Sequence, residues 1–121
     1  MTPETLWHRY ARIWSSEPAV RTSELEVCLA DDCTYCDVNG LLSGREALSR
    51  YMGGFQQTVK GGRFEILFVI HHHDRMLAEW RLLGADGAVL QTGRSFANAA
   101  PDGRLLNISG FFDSPGRARA A

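Results

Sequence analysis

The chain has 121 residues and a formal net charge of −1 at neutral pH, with 45% hydrophobic and 22% charged residues. This length accommodates one hydrophobic core, and the balance of residue types is that of an ordinary globular domain. The near-zero charge offers no electrostatic footprint for nucleic acid or an anionic membrane surface, and the longest uncharged apolar run, residues 66–70, is too short to span a bilayer. We therefore expect a single domain over residues 1–115, no nucleic-acid or membrane partner, and a disordered tail at 116–121.

The N-terminal residues and the cysteines bear on the compartment. Thr-Pro-Glu-Thr follows Met1, whereas a secretory signal would have a basic and then an apolar region. The chain has three cysteines, an odd number, and disulfides are rare in the cytosol. We expect a cytoplasmic protein with reduced thiols.

Two helices are predicted at the start of the chain. Thr2 is a suitable N-cap for a helix whose first turn contains Pro3. Apolar residues then recur at helical spacing and form one stripe: Leu6, Trp7, Tyr10, Ile13 and Trp14. The second helix is expected over about residues 20–29.

A short strand over residues 33–37 and a third helix are expected next. Ser43 is a good N-cap for this helix, with Glu46 as its capping-box partner. The helix carries apolar residues on its inner side, among them Tyr51 and Phe55, and is expected to stop near residues 61–62.

The second half of the chain is typical of a strand meander. Strands are predicted over residues 64–72, 76–84, 88–97 and 104–112, with strong turn signals at Asp86-Gly87 and Asp102-Gly103. Helices followed by an antiparallel sheet define an α+β architecture.

The two hairpin turns fix a register and therefore the faces of the sheet. They place Trp80 opposite Gly93, and Ser95 opposite Gly110. The face that includes these residues is mostly apolar: Leu67, Val69, His71, Ala78, Trp80, Ser95 and Phe112. The other face is mixed: Phe64, Phe68, Glu79, Arg81, Arg94 and Phe96. Small residues in mid-strand often mark a hollow, so the apolar face is predicted to be the wall of a cavity that the helices cover.

The cysteine and histidine runs suggest a metal site, but their geometry argues against one. Cys33 and Cys36 lie three residues apart on a strand, which sends them to opposite faces, and Cys28 precedes the strand on a helix. No fourth cysteine exists for a cluster. We expect no metal and no cofactor, with the cysteines packed as small apolar residues. Of the three histidines at 71–73, His71 is expected to face the mouth of the cavity.

Two segments carry a resemblance to a known family. LADDCTYCDVNGLLSGREALSRY (residues 29–51) and, at the end of the meander, DGRLLNISGFFD (residues 102–113) resemble the nuclear transport factor 2-like superfamily, especially its SnoaL-like and ketosteroid isomerase-like members. The resemblance spans about residues 7–113. It implies a cystatin-like cone, in which a curved antiparallel sheet wraps around three N-terminal helices and leaves an apolar pocket at one end. It also implies a homodimer formed through the outer face of the sheet.

The same resemblance implies roles for particular residues. Asp37 matches the catalytic base of the ketosteroid isomerases, and Tyr10 matches their hydroxyl donor on the first helix. Ser95 stands where those enzymes have a second, neutral acid, which argues against a steroid isomerase in particular. Phe112 matches an aromatic residue of the last strand.

Two functions of different classes remain open at the level of the sequence. The first is cofactor-free isomerase, cyclase or hydrolase chemistry, in which Asp37 takes a proton from an apolar molecule and Tyr10 donates a hydrogen bond. The expected substrate-binding residues are Phe55, His71, Trp80, Ser95 and Phe112. The second is a non-catalytic ligand-binding or dimerisation module, with Asp37 merely capping the turn at residues 38–40.

Overall fold

The computed structural model describes residues 1–113, so the tail predicted at 116–121 lies outside the described residues. The helices and strands of this part of the chain are α1 (Pro3–Ile13), α2 (Pro18–Cys28), β1 (Leu29–Asp37), β2 (Gly40–Ser43), α3 (Arg45–Thr58), β3 (Arg63–His72), β4 (Arg75–Leu83), β5 (Val89–Ala99) and β6 (Leu105–Phe112). None of these helices has the length and hydropathy that crossing a bilayer requires.

The first helix begins as its sequence predicts. The Thr2 hydroxyl accepts a hydrogen bond from the Thr5 N–H at 3.1 Å, and Pro3 occupies the first helical position, where its missing N–H costs no helical bond. The apolar stripe of α1 is buried, and the helix packs across β3. Helix α3 packs over β1 and β2, and α2 lies against both α1 and α3.

All six strands form one sheet in the order β2-β1-β6-β5-β4-β3. The sheet is mixed, not wholly antiparallel, because β1 runs parallel to β6 while every other pair of neighbours is antiparallel. A parallel pair needs a long connection, and the intervening segment from β2 to β5 supplies it. The predicted α+β fold with a curved sheet and three helices is confirmed.

The register predicted from the two hairpin turns is also confirmed. Trp80 lies opposite Gly93, and Ser95 lies opposite Gly110. Gly87 and Gly103, the second residues of the two turn signals, have φ of 84° and 91°, a region that glycine enters without steric cost.

The predicted faces of β3 are wrong at its N-terminal end. A β-bulge shifts the register between Ile66 and Phe68, so that Ile66 takes the place opposite Trp80 that was expected for Leu67. One extra residue exchanges the two faces of a strand. Leu67 is therefore exposed, while Phe64, expected on the outer face, points inward.

The predicted cap of α3 is wrong as well. Ser43 belongs to β2, where it pairs with Thr34, and Gly44 is the N-cap without any side-chain hydrogen bond. Gly44 has φ of 88°, and its N–H donates to the Cys33 carbonyl at 2.8 Å. The strand pairing thus uses the backbone that a serine cap would need. Glu46 instead pairs with Arg50 one turn later.

Candidate functional site

A cavity of about 680 Å³ lies between the helices and the inner face of the sheet, within the usual size range of small-molecule pockets. It occupies the end of the sheet where β1 and β6 finish and β3 begins. Aromatic side chains dominate its wall: Trp7, Tyr10, Trp14, Tyr35, Tyr51, Phe55, Phe64, Trp80 and Phe112. The predicted hollow is therefore present, and it is more aromatic than the strand pattern alone indicates.

The carboxylate of Asp37 lies on this wall and is the acceptor of three hydrogen bonds. Its side chain is at the end of β1, and the residue is only 9% exposed. The hydroxyls of Tyr35 and Tyr51 both donate to Oδ2 at 2.8 Å, and the Asn39 N–H donates to Oδ1 at 2.7 Å. The side chain of Asp37 therefore faces the cavity and also caps the turn at residues 38–40.

Tyr35 and Tyr51 were not predicted as site residues. Tyr35 is buried on β1 and belongs to the same face as Asp37, because residues two apart on a strand point the same way. Tyr51 comes from α3, and its hydroxyl crosses the cavity wall to reach the strand. The alternation of β1 could have indicated Tyr35, whereas the approach of Tyr51 depends on the packing of α3.

All three tyrosines of the chain line the cavity, and their environment keeps them protonated. Burial raises the pKa of Tyr10 and of Tyr35 well above the ordinary value of 10. Burial, followed by the hydrogen bond to Asp37, raises the pKa of Tyr51 to about 12. At neutral pH the three hydroxyls are therefore hydrogen-bond donors and not bases.

Tyr10 lines the cavity as expected, but it does not contact Asp37 through a hydrogen bond. Its hydroxyl is buried and has no hydrogen-bond partner within residues 1–113, and the same is true of the indole N–H of Trp7 one turn earlier. The two rings meet edge to face at 5.6 Å. A buried donor without an acceptor is costly, so the Tyr10 hydroxyl is available to an acceptor atom of a ligand.

Ser95 and Trp80 also line the cavity, and they are linked. The Trp80 indole N–H donates to the Ser95 Oγ at 3.0 Å across two neighbouring strands. The Trp80 ring lies directly over Gly93, where a side chain would collide with it. The glycine in mid-strand therefore serves a close approach, as the sequence indicated.

Trp14 is the centre of the aromatic wall. Its ring lies 5.5 Å from that of Tyr35, 6.0 Å from that of Tyr51 and 5.6 Å from that of Phe55. Phe55 and Phe112 both line the cavity, as predicted. The Gln56 amide donates to the Trp14 carbonyl at 3.0 Å, which fixes the end of α1 that carries this ring.

His71 lies outside this cavity, so its predicted position at the mouth is wrong. It is on the expected face of β3 but near the opposite end of the strand, about 23 Å from Phe64 at the usual rise of a strand. There it pairs with Glu4 at 3.4 Å beside a small depression of about 170 Å³. Hairpin pairing assigns a face to a residue but does not say at which end of the sheet the hollow opens.

The cysteines occupy separate surroundings. Cys28 and Cys33 are buried and Cys36 is half-buried, and all three are free thiols. Burial raises the pKa of Cys28 to about 11 and also raises the pKa of Cys33. In the described part of the chain, no three His, Cys, Asp or Glu side chains are grouped so that they could hold a metal ion.

The three helices and the six-stranded sheet have the nuclear transport factor 2-like fold, which defines a class of α+β proteins. Within that class it belongs to the family described as the SnoaL-like domain, whose model matches residues 7–105. A comparison with curated protein sequences finds no match.

Several solved structures share this fold. A SnoaL-like protein of Agrobacterium tumefaciens for which isomerase activity is suggested aligns with a TM-score of 0.85 and 22% identity, over 91% of this chain and 96% of that one. A Catenulispora acidiphila protein with a ketosteroid isomerase-like fold, solved in complex with trimethylamine, aligns with a TM-score of 0.74 and 16% identity, over 93% of this chain and 88% of that one. A Sinorhizobium meliloti protein for which polyketide cyclase activity is suggested aligns with a TM-score of 0.69 and 19% identity, over 88% of this chain and 93% of that one. At these identities the likeness establishes the fold alone.

Proposed function

We propose that the chain binds an apolar small molecule in the cavity and carries out cofactor-free acid–base chemistry on it, with Asp37 as the general base. The observation that supports this proposal best is a buried carboxylate on the wall of a largely aromatic cavity. Enzymes of isomerase or cyclase type need such a group beside the carbon or water that loses a proton.

The hydrogen bonds of Asp37 leave room for a reacting proton. A carboxylate has about four acceptor positions, and Tyr35, Tyr51 and the Asn39 N–H occupy three of them. Two of these donors meet at Oδ2, so the remaining position is on Oδ1. In our proposal Oδ1 accepts the proton from a carbon next to a carbonyl, and the electrons of the broken C–H bond move into the resulting enolate.

Tyr10 is the proposed donor to the enolate oxygen. Its hydroxyl is protonated and has no acceptor within the described residues. Return of the proton from Oδ1 to a different carbon would complete an isomerisation and restore the carboxylate. The Ser95 hydroxyl accepts a hydrogen bond from the Trp80 indole N–H and can still donate its own proton to the substrate. Phe55 and Phe112 would exclude water from the site.

The test is a thermal-shift screen of apolar ketones, lactones and epoxides on the wild type and on Asp37→Asn. We expect some compounds to stabilise both proteins and only the wild type to turn them over. Asp74→Asn is the matched control, because Asp74 is an exposed carboxylate at the other end of β3. Turnover that persists in Asp37→Asn would overturn the role of Asp37 as the base.

A non-catalytic ligand-binding module is the second candidate. The observation that favours it is the bond from the Asn39 N–H to Asp37, since a carboxylate that caps a turn already has a structural role. Stabilisation of both proteins by a ligand, with no turnover by either, would support this candidate.

We also propose that a second copy of the chain covers the outer face of the sheet. Four large apolar side chains are exposed there, flanking the ion pair between Arg94 and Glu79: Phe68, Ile70, Phe96 and Phe111. Exposed clusters of this kind often mark interaction sites. Sedimentation velocity should give a dimer for the wild type and a monomer for Phe96→Asp. Val20→Asp, at an exposed position on α2 and not on the sheet, should leave the dimer intact. A monomeric wild type would overturn this proposal.

A further inference from the structure

In the described part of the chain, the carboxylate of Asp37 has hydrogen bonds but no counter-charge. Within residues 1–113, no Arg, Lys or His nitrogen forms an ion pair with it. Among the residues that the structure describes, Arg50 is the only cationic one on the cavity wall, and its guanidinium pairs with Glu46 at the surface, where the Arg50 side chain is 70% exposed. A buried carboxylate without a cation keeps an unfavourable desolvation cost, which a positively charged ligand would offset.

The hydroxyl protons of the neighbouring tyrosines are already used, so these groups can offer a ligand only their oxygen lone pairs. Tyr35 and Tyr51 both use their hydroxyl protons on Oδ2 of Asp37. Their oxygens therefore add two further acceptors beside the carboxylate. This arrangement favours a donor or a cation, and it disfavours an anionic group.

The aromatic rings around the carboxylate add to the same preference. Trp14 lies 5.5 Å from Tyr35, 6.0 Å from Tyr51 and 5.5 Å from Phe64, measured between ring centres. The face of an aromatic ring carries negative potential and attracts a cation within about 6 Å, most strongly where water is excluded. Aromatic rings grouped with a carboxylate are a form of site that binds alkylated ammonium groups.

We infer that the ligand of this cavity is an organic cation: an amine or a quaternary ammonium with apolar substituents. Its charge would lie beside Asp37 on the cavity side of the rings of Trp14, Tyr35 and Tyr51, and its apolar part would extend along Phe64 into the remaining volume. This inference rests on the proposed function only in giving the cavity a ligand, and it does not require the proton transfer.

The test compares two probes of the same shape, benzyltrimethylammonium and its uncharged isostere neopentylbenzene. Binding is measured through the fluorescence of the tryptophans, of which Trp7, Trp14 and Trp80 all line the cavity. We expect the wild type to bind the cation about 30-fold or more tightly than the isostere. Equal affinities, or a preference for the isostere, would overturn the inference, and this comparison needs no variant to fold.

Two variants locate the preference. Asp37→Asn keeps the shape of the side chain and removes its charge, and Tyr51→Leu removes one ring at a half-buried position. Each variant should bind the cation more weakly than the wild type does, and its affinity for the isostere should stay within about threefold of the wild-type value. Asp74→Asn, at the remote end of the sheet, should change neither affinity. A loss of cation binding in Asp74→Asn equal to that in Asp37→Asn would mean that overall charge, not this site, attracts the cation.

The outcome separates the inference from the proposed chemistry. If the protein turns over neutral ketones but binds the two probes equally well, the role of Asp37 as a base stands and the inference of a cationic ligand is overturned. Strong preference for the cation, with no turnover of any carbonyl compound, would do the reverse.

Discussion

The hydroxyl of Tyr35 donates a 2.8 Å hydrogen bond to Oδ2 of Asp37, two residues further along the same strand. Both side chains face the cavity because alternate residues of a strand share a face. The same oxygen accepts from Tyr51 on α3, so one carboxylate oxygen joins the sheet to a helix. The carboxylate is thus held from two elements, so Asp37 and the two tyrosine hydroxyls should not contribute independently to stability.

Removing the Tyr35 hydroxyl should cost more than removing that of Tyr51. A hydrogen bond to a charged group contributes about 1.5–3 kcal/mol, and its loss is felt most where water cannot replace the donor. Tyr35 is buried, whereas Tyr51 is only half-buried. We expect Tyr35→Phe to lower the free energy of unfolding by about 2 kcal/mol and Tyr51→Phe by about 1 kcal/mol, measured by urea denaturation.

A double-mutant cycle with Asp37→Asn assigns these losses to the carboxylate. If the hydroxyls act through Asp37, each Phe substitution should cost less in the Asp37→Asn background than in the wild type. Strict additivity would show that the two hydroxyls contribute to stability independently of the Asp37 charge.

Two glycines on the inner face should differ greatly in how far alanine destabilises the fold. At Gly93 a Cβ would collide with the Trp80 ring and with the backbone carbonyl of Phe111, which cannot move aside. At Gly110 the nearest atoms are the Ser95 Oγ and the Tyr35 hydroxyl, both at 3.6 Å, an ordinary contact distance. We expect Gly93→Ala to lower the free energy of unfolding by about 3 kcal/mol and Gly110→Ala to change it by less than about 1 kcal/mol.

Ligand binding gives the Gly110 substitution a second use. The added methyl group would lie 3.8 Å from the Cβ of Asp37, on the wall of the site. Gly110→Ala should therefore lower the affinity for any ligand that reaches Asp37, while the protein stays folded. Equal stability losses for the two glycines would contradict the packing described for Trp80.

The pairing of neighbouring strands could be predicted from the sequence wherever a turn signal defined the register. Asp86-Gly87 and Asp102-Gly103 each determine the pairing of their flanking strands, and the pairs that follow are those of the structure. The faces of β3 could not be obtained in this way, because a bulge at residues 66–68 leaves no local signal and reverses the face of everything before it.

The candidate site shows the same division between local and tertiary information. Asp37 and Tyr10 could be selected because the resemblance to the ketosteroid isomerases matches them to a base and a hydroxyl donor, whereas their local patterns indicate only a turn residue and a core residue. Tyr51 could not be assigned to Asp37, 14 residues earlier in the chain, since their meeting depends on how α3 packs against β1. His71 was misplaced because the pattern of a strand indicates its face but not which end borders the hollow.

The thiols should differ sharply in reactivity. Burial raises the pKa of Cys28 to about 11 and also raises that of Cys33, and the thiolate is the reactive form. Cys36 is half-buried on the opposite face of β1. At pH 8, Ellman's reagent should label one thiol readily and the other two only after unfolding in denaturant. Loss of the fast phase in Cys36→Ser identifies the reactive residue, and rapid labelling of all three thiols would contradict their burial.

The tyrosines make the stability of the fold sensitive to alkaline pH. In the unfolded chain all three titrate near pH 10, whereas in the folded protein the pKa of Tyr51 is raised to about 12 and those of Tyr10 and Tyr35 are raised further from the ordinary value. Above pH 10 the unfolded state therefore releases protons that the folded state retains, so stability is fully present below pH 10 and falls as the pH rises. For each of the two buried residues, Tyr10 and Tyr35, the slope is about 1.4 kcal/mol per pH unit.

Absorbance at 295 nm measures this titration directly. Phenolate should be nearly absent from the folded protein at pH 10.5, and it should appear together with the loss of the circular dichroism signal as the chain unfolds. Tyr51→Phe, which removes the most accessible hydroxyl, should abolish any phenolate that forms before unfolding. Titration of all three tyrosines near pH 10, with the protein still folded, would contradict both the burial of Tyr10 and Tyr35 and the hydrogen bonds at Asp37.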